Sequence, residues 1–298
     1  MTSLDIVVLT DRRWINTKNK DAYTLNVLHE DELMVNALRK AGLNTDRKAW
    51  DDGDFNWAST KSVLFRTTWD YFERYPEFSA WLNKTSTQTR LFNSEKLIRW
   101  NVDKHYLNDL KQKGIRIPPT LFIEKLSGVS LGELLENTGW NDAVLKPCIS
   151  GAARHTYRIN PSNFDKYEAV FKQLLKQEAM MLQPFQHNIV AKGEVSAMVI
   201  DGSFTHAILK KAKPGDFRVQ DDFGGSVHEF NPDKEAVLFA ENAVEQCIEK
   251  PIYARVDMFL DNEQKWALSE MELIEPELWF RHNPEAATKL AVAIANLF

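Results

Sequence analysis

Residues 253–260 read YARVDMFL, and residues 266–276 read WALSEMELIEP. Both stretches alternate with a period of two, the pattern of a strand with two distinct faces. Arg255 and Asp257 share a face of the first; Glu270 and Glu272 share a face of the second. Joining them through Asp261–Lys265 gives an antiparallel hairpin. A two- or four-residue loop centred on Asn262-Glu263 makes the numbers of paired residues sum to an odd value. Arg255 is then expected opposite Glu270, with Asp257 two positions along, and all four charges project from one face. Three carboxylates on a buried face repel one another unless a cation joins them. An oxygen-only set of this kind suits Mg²⁺, with substrate phosphates completing its shell. A solvated charged face is the plainer alternative. The apolar residues between the acids, and their mid-strand positions, speak against it.

Working outward, isolated lysines stand at element ends. Lys146 closes the apolar run Ala143-Val-Leu-Lys146, and Pro147 turns the chain out of it, so the side chain is expected to enter a cleft. The next residues, Ser150-Gly151-Ala-Ala-Arg154-His155-Thr156, are small enough for backbone amides to approach a phosphate, or for a simple tight turn. Lys104 is expected on a helix over 101–113, where a lysine alone usually means surface charge. Lys210 ends the strand-like FTHAILK, and residues 214–225 form a loop with Arg218 and a Gly-Gly pair, fit for a phosphate lid or any exposed loop. Met180 to Phe185 breaks at Gln183-Pro184-Phe185, which offers backbone groups beside an apolar surface. Adenine recognition needs that pairing, with Glu194 available to ribose hydroxyls; taken singly, these are core and turn residues.

The first ~90 residues alternate strand signals (5–9, 62–66) with helix signals (28–41, 76–84), which argues for a small α/β unit with a parallel sheet. Arg66 ends the second strand, and Thr67, Thr68, Trp69, Asp70 and Tyr71 follow it directly. Ligands bind at the carboxyl ends of such strands, so this segment is a substrate-site candidate by position. From residue 93 onward the pattern changes. Strands are expected near 120–123, 143–146, 194–200, 204–210, 252–260 and 266–274, with helices at 161–178, 232–249 and from Pro284. The division expected is 1–92, 93–185 and 186–298.

Composition bounds the partners. Across 298 residues, 37 Lys and Arg face 42 Asp and Glu, a formal charge of −5, so a duplex nucleic acid is not an expected partner. Hydrophobic residues at 44% provide for a large core. No apolar run approaches the ~18 residues of a membrane span, and the short run Ile6–Leu9 after Asp5 reads as a buried strand rather than a signal peptide. The two cysteines, Cys148 and Cys247, read as reduced thiols of a cytoplasmic protein. His155 and His206 lack a second ligand at metal spacing, and no Walker A, Gly-x-Gly-x-x-Gly or Gly-x-Ser-x-Gly pattern occurs.

The serial order of these signals resembles the ATP-grasp superfamily. The order is a lysine on a helix, Leu145-Lys146-Pro147, a small-residue loop, an apolar hinge, Gly193-Glu194, Lys210, an arginine loop, Arg255-x-Asp257 and Glu270-x-Glu272. The similarity spans residues 93–298, in the branch of glutathione synthetase and the ribosomal-protein glutamate ligases. Arg66-Thr-Thr-Trp69-Asp70-Tyr71, Ile98-Arg-Trp-Asn101 with Asp103-Lys104, and Glu272-Leu-Ile-Glu275-Pro276 resemble, more narrowly, the cyclo-ligases that close D-cycloserine from O-ureido-D-serine. The resemblance implies an α/β protein, α+β in its grasp part, with a Rossmann-like pre-ATP-grasp domain at its N-terminus. It implies ATP and two Mg²⁺ ions as cofactors. Lys104 and Lys146 would hold the α- and β-phosphates beneath Ser150 and Gly151. Gln183, Pro184 and Phe185 would form the adenine hinge, and Glu194 would take the ribose. Lys210 and Arg218 would touch the terminal phosphate, and Arg255 would steady it during transfer. Asp257, Glu270 and Glu272 would ligate the metal, with Glu272 standing where many of these ligases have asparagine.

The expected activity is ADP-forming carboxylate–amine ligation of a small amino-acid-like substrate, through an acyl phosphate attacked by an amine, including one in the same molecule. Arg66 is expected at a substrate carboxylate and Asp70 at an ammonium, with Thr67, Trp69 and Tyr71 lining the pocket. A kinase on the same scaffold and a non-catalytic nucleotide sensor are the alternatives. Related ligases are often dimers or tetramers, which leaves a homo-oligomer open, and neither nucleic acid nor membrane is an expected partner.

Overall fold

The computed structural model of the protein describes residues 4–18, 21–219 and 224–298. Its first layer is a parallel sheet of β1 (Leu4–Thr10), β2 (Thr45–Ala49), β3 (Thr60–Thr67) and β4 (Arg90–Phe92), in the order β2-β1-β3-β4. The run Ile6–Leu9 is wholly buried, because helices cover both faces of such a sheet. Helix α1 (Ala22–Lys40) starts earlier than its periodicity suggests, since the Asp21 carboxylate accepts from the Thr24 N–H and caps it. Helix α2 (Tyr75–Thr85) carries Pro76 in its first turn.

A single helix over 101–113 is not what forms. Helix α3 (Glu95–Asn101) and helix α4 (Tyr106–Gln112) are separated by a turn at 102–105. There the Asp103 side chain accepts from the His105 N–H, and the Lys104 N–H donates to Cys148 O at 2.9 Å rather than into a helix. Lys104 therefore sits at a helix break, aimed across the fold.

The second sheet, β5-β8-β6-β7, is antiparallel: β5 (Leu121–Ile123), β6 (Ala143–Pro147), β7 (Tyr157–Ile159) and β8 (Met180–Pro184). Helices α5 (Leu131–Thr138) and α6 (Phe164–Leu175) cover one face through Leu131, Leu134, Phe171 and Leu174. After the short α7 (His187–Lys192) comes the third sheet, β11-β10-β9-β12-β13. It comprises β9 (Glu194–Ile200), β10 (Ser203–Lys211), β11 (Ser226–Phe230), β12 (Tyr253–Leu260) and β13 (Trp266–Glu272).

One core packs α8 (Lys234–Glu245) and α3–α4 on the third sheet, with Leu107, Leu110, Ala240 and Val256 among its members. Another joins the first and third sheets: Val8 and Leu64 meet Met198 and Tyr253, and α9 (Pro284–Ala295) lies against α1 through Leu290, Ile294 and Leu38. The first sheet is thereby fastened to the third. No helix among the described residues is long and apolar enough to cross a membrane.

Candidate active site

The charged stripe on the third sheet is built by register. Leu260 pairs with Trp266 and Met258 with Leu268, so the hairpin closes around five residues, Asp261–Lys265, with Gln264 at φ 63°. Continued unchanged, that pairing would set Glu270 against Val256 and turn both glutamates to the opposite face. Ser269 is instead an extra residue on β13, and beyond this bulge Asp257 pairs with Glu270 and Arg255 with Glu272. The expected pairing of Arg255 with Glu270 is thus corrected by two residues, to Glu272, and because two residues are one full period the shared face of all four charges stands. Ser196 of β9 lies opposite Asp257, and Glu194 opposite Lys210 of β10, which extends the stripe over four strands.

A cavity lies between this stripe and the second sheet, lined on one side by Val144, Lys146 and Gln183 and on the other by Glu194, Lys210, Asp257, Phe259 and Glu270. Charges on the stripe are interleaved. Lys210 Nζ is 2.8 Å from Glu194 and 3.3 Å from Asp257. Burial works against its ammonium, but Asp257 and Glu194 more than offset that and hold it above the ordinary lysine value. Arg255 donates to Asp257 at 2.9 Å and also to Glu272. Burial opposes Asp257 ionising, yet Arg255 and Lys210 prevail and lower its carboxyl to about 2. Glu272 is pushed the other way, to about 7, by burial and by Asp257 and Glu270. Arg255 stays charged throughout, and Asp257 holds the larger share of its guanidinium.

Lys104 crosses from the helix break to Glu270 at 2.9 Å and donates to Ser150 O at 2.6 Å. Burial lowers the Lys146 ammonium, with Glu270 partly compensating. Above them the 150–156 loop reaches what glycine would supply: Ala152, Ala153 and His155 take φ values of 47°, 52° and 52°. Arg154, paired with Glu178, anchors it at 2.9 Å. Gly151 lies under the Phe72 ring, where a Cβ would come within 2.5 Å of an aromatic carbon. Arg218 lines the cavity and donates to Asp216 at 2.8 Å. Residues 220–223 of its loop lie outside the described residues.

The hinge differs from its expectation. The Phe185 N–H donates to Asp142 O at 2.8 Å, and its carbonyl accepts from Asn262 at 3.0 Å, so those backbone groups are already engaged. Gln183 donates to Thr120 at 2.8 Å. The apolar surface does face the cavity, through Pro184, Phe185, Ile189 and Phe259.

The expected substrate segment divides, and only Tyr71 of its residues lines the cavity. Arg66 is 0% exposed, 3.5 Å from Glu30 and flanked by the rings of Tyr253 and Phe280. Thr67 donates to Asp31 at 2.8 Å within the same buried network. Asp70 is occupied by Trp50 at 2.7 Å and Arg74 at 2.8 Å, and Trp69 donates to Glu275 O at 2.8 Å. Arg66, Thr67 and Asp70 are thus turned into their own domain, while Trp69 reaches across to the C-terminal part. Sequence reasoning passed over Glu275 as a site residue, although it lines the cavity three residues beyond Glu272 and takes the Tyr71 hydroxyl. Its place in the Glu270-x-Glu272-x-x-Glu275 spacing was the available signal.

Comparison with known proteins agrees with this architecture. Residues 6–93 match the model of the family described as D-cycloserine synthetase DcsG, N-terminal domain. The cycloserine biosynthesis protein DcsG of Streptomyces lavendulae is 27% identical over 287 residues, covering 93% of this chain and 96% of that protein. The crystal structure of D-cycloserine synthetase DcsG superposes with a TM-score of 0.83 at 25% identity, covering 98% of this chain and 99% of the other. A D-alanine–D-alanine ligase from Bacillus anthracis shares the fold with a TM-score of 0.67 at 14% identity, covering 99% of this chain and 97% of that one. The chain has the ATP-grasp fold and is similar to D-cycloserine synthetase along nearly its whole length.

Proposed function

We propose that this ligase uses MgATP to activate the carboxylate of a small amino-acid-like substrate and joins it to an amine, including an amine within the same molecule. The observation that carries the reading is the acidic stripe: Asp257, Glu270 and Glu272 on one sheet face, each within ion-pair distance of Arg255, Lys210 or Lys104. Its oxygen-only donors fit Mg²⁺, which would neutralise charge on the phosphates when bound. A carboxylate oxygen of the substrate attacks the γ-phosphorus and the bond to the β-phosphate oxygen breaks, giving an acyl phosphate and ADP. The amine then attacks the acyl carbon and phosphate leaves.

The chain's own residues divide that work. Lys104 and Lys146 hold phosphate oxygens beneath Ser150 and Gly151. Lys210, Arg218 and Arg255 bring positive charge to the transferring group and to the tetrahedral centre. Asp257, Glu270 and Glu272 hold the metal, Glu194 takes ribose hydroxyls, and the apolar surface of Pro184 and Phe185 packs the base, with Gln183 at its edge. The solved relative whose fold it shares, the D-alanine–D-alanine ligase, has been crystallised complexed with ATP, which supports the nucleotide assignment.

The test is ADP formation across free amino acids and their ureido and aminooxy analogues, with mass spectrometry of the products. A joined or cyclised product with loss of water is the expected result. A stable phosphoester would make the protein a kinase, and tight ATP binding without substrate-stimulated ADP release would make it a sensor.

A further inference from the structure

Four of the five acids that line the cavity have a cation of this chain within ion-pair distance. Glu194 and Asp257 share Lys210, Glu270 has Lys104, and Glu272 has Arg255. Glu275, the fifth, has no ion pair among the described residues. Burial and the nearby Glu272 and Glu270 push its carboxyl well above the ordinary range, outweighing the more distant charge of Arg255. An uncompensated acid in a half-buried cavity is costly, and the cost is relieved when a cation arrives beside it.

The position is held by the turn after β3. Trp69 Nε1 donates to the Glu275 backbone carbonyl at 2.8 Å, and the Tyr71 hydroxyl engages its side chain. Pro276 follows and stiffens the chain. Tyr71 and Glu275 both line the cavity. The acid first expected to meet a substrate ammonium, Asp70, is taken by Trp50 and Arg74.

We propose that Glu275, oriented by Tyr71 and Trp69, receives the protonated amine of the substrate whose carboxylate is activated, and so restricts the enzyme to substrates carrying both groups. The inference rests on the ligase reading for what the cavity holds. It adds the recognition element: a carboxylate-bearing molecule without an ammonium lacks the partner for this acid.

The test compares O-ureido-D-serine with 3-(ureidooxy)propanoate, the same molecule without its α-amino group. Binding to the full chain is measured by calorimetry, and ADP formation is assayed separately. The native protein should bind the amine-bearing compound about ten- to hundredfold more tightly, the scale of a charge-assisted hydrogen bond. Glu275→Gln should bind both alike, with unchanged circular dichroism and an unchanged Mg²⁺ midpoint for ATP binding. Tyr71→Phe keeps the acid and should lose only part of the preference. Retained preference in Glu275→Gln, no preference in the native protein, or binding of neither compound overturns the proposal. A displaced Mg²⁺ midpoint with the preference intact also overturns it, making Glu275 a metal ligand. If the preference depends on Glu275 but neither compound yields ADP, the recognition element stands and the ligase reading fails.

Discussion

Asp257 and Glu270 lie directly opposite each other across β12 and β13 because Ser269 is an extra residue between Glu270 and the pair Met258–Leu268. Paired in the ladder rather than bulged out of it, Ser269 would oppose Asp257 and turn both glutamates to the other face. Deletion of Ser269 should remove the bulge and leave Asp257 opposite Glu270 and Arg255 opposite Glu272 in a regular ladder. The expected outcome is Mg²⁺-dependent ADP formation within about tenfold of the native protein, far from the about thousandfold loss that follows removal of preorganised charge from such a site. Mg²⁺ titration followed by tryptophan fluorescence checks it; loss of Mg²⁺ binding in the deletion would refute the register argument.

The Glu272 carboxyl, ordinarily at 4.5, is raised to about 7 by burial and neighbouring acids. Between those values the folded chain holds a proton that the unfolded chain has released. The stabilising contribution is present in full below 4.5 and is lost as pH rises through 7. In the metal-free protein, urea midpoints should therefore fall between pH 5 and 8, and Glu272→Gln should flatten that slope. Metal binding runs the opposite way, since the ligand must be deprotonated. The Mg²⁺ concentration for half-activation should rise up to about tenfold per pH unit below 7.

Arg66 is a buried counter-ion to Glu30. Arg66→Ala leaves that carboxyl unpaired in the core, which should cost about 3–5 kcal/mol of stability. Chemical denaturation measures the loss. The apparent substrate KM of the folded fraction should stay within about twofold, a shift of only some 0.4 kcal/mol. A large rise in KM with unchanged stability would place Arg66 at the substrate after all.

Gly151 and Phe72 bring the phosphate loop against the turn after β3, with 2.5 Å left for any Cβ. Gly151→Ala should raise the KM for ATP several-fold by tilting the loop. Phe72→Leu should restore most of it in the double variant, since the two residues share one contact and their effects should not add. Additive effects in the steady-state kinetics would separate them.

Gly193 has φ +93°, and a Cβ there would meet the Lys210 carbonyl at 2.6 Å. Gly193→Ala forces a residue with a side chain into a left-handed conformation against backbone. It should cost about 1–3 kcal/mol and weaken ATP binding by displacing Lys210. Thermal melts with and without nucleotide read both effects, and the nucleotide-induced rise in Tm should shrink.

The sequence by itself determined which residues share a face, because alternation along a strand is local and has a period of two. From it came the Arg255-x-Asp257 and Glu270-x-Glu272 pairs, the strand-end placement of Lys146 and Lys210, and the parallel sheet of the first 90 residues. Only the tertiary structure decided the partners. The register of β12 against β13 depends on a bulge whose signature is a single serine. Lys104 reaches Glu270 because a carbonyl from residue 148 breaks its helix. Arg66 and Asp70 are spent on Glu30, Trp50 and Arg74, while Glu275, whose spacing gives no hint of its partners, is the cavity acid without an ion pair among the described residues. Spacing along a chain fixes direction, whereas a charge's partner depends on packing between segments up to two hundred residues apart, and no local periodicity records that.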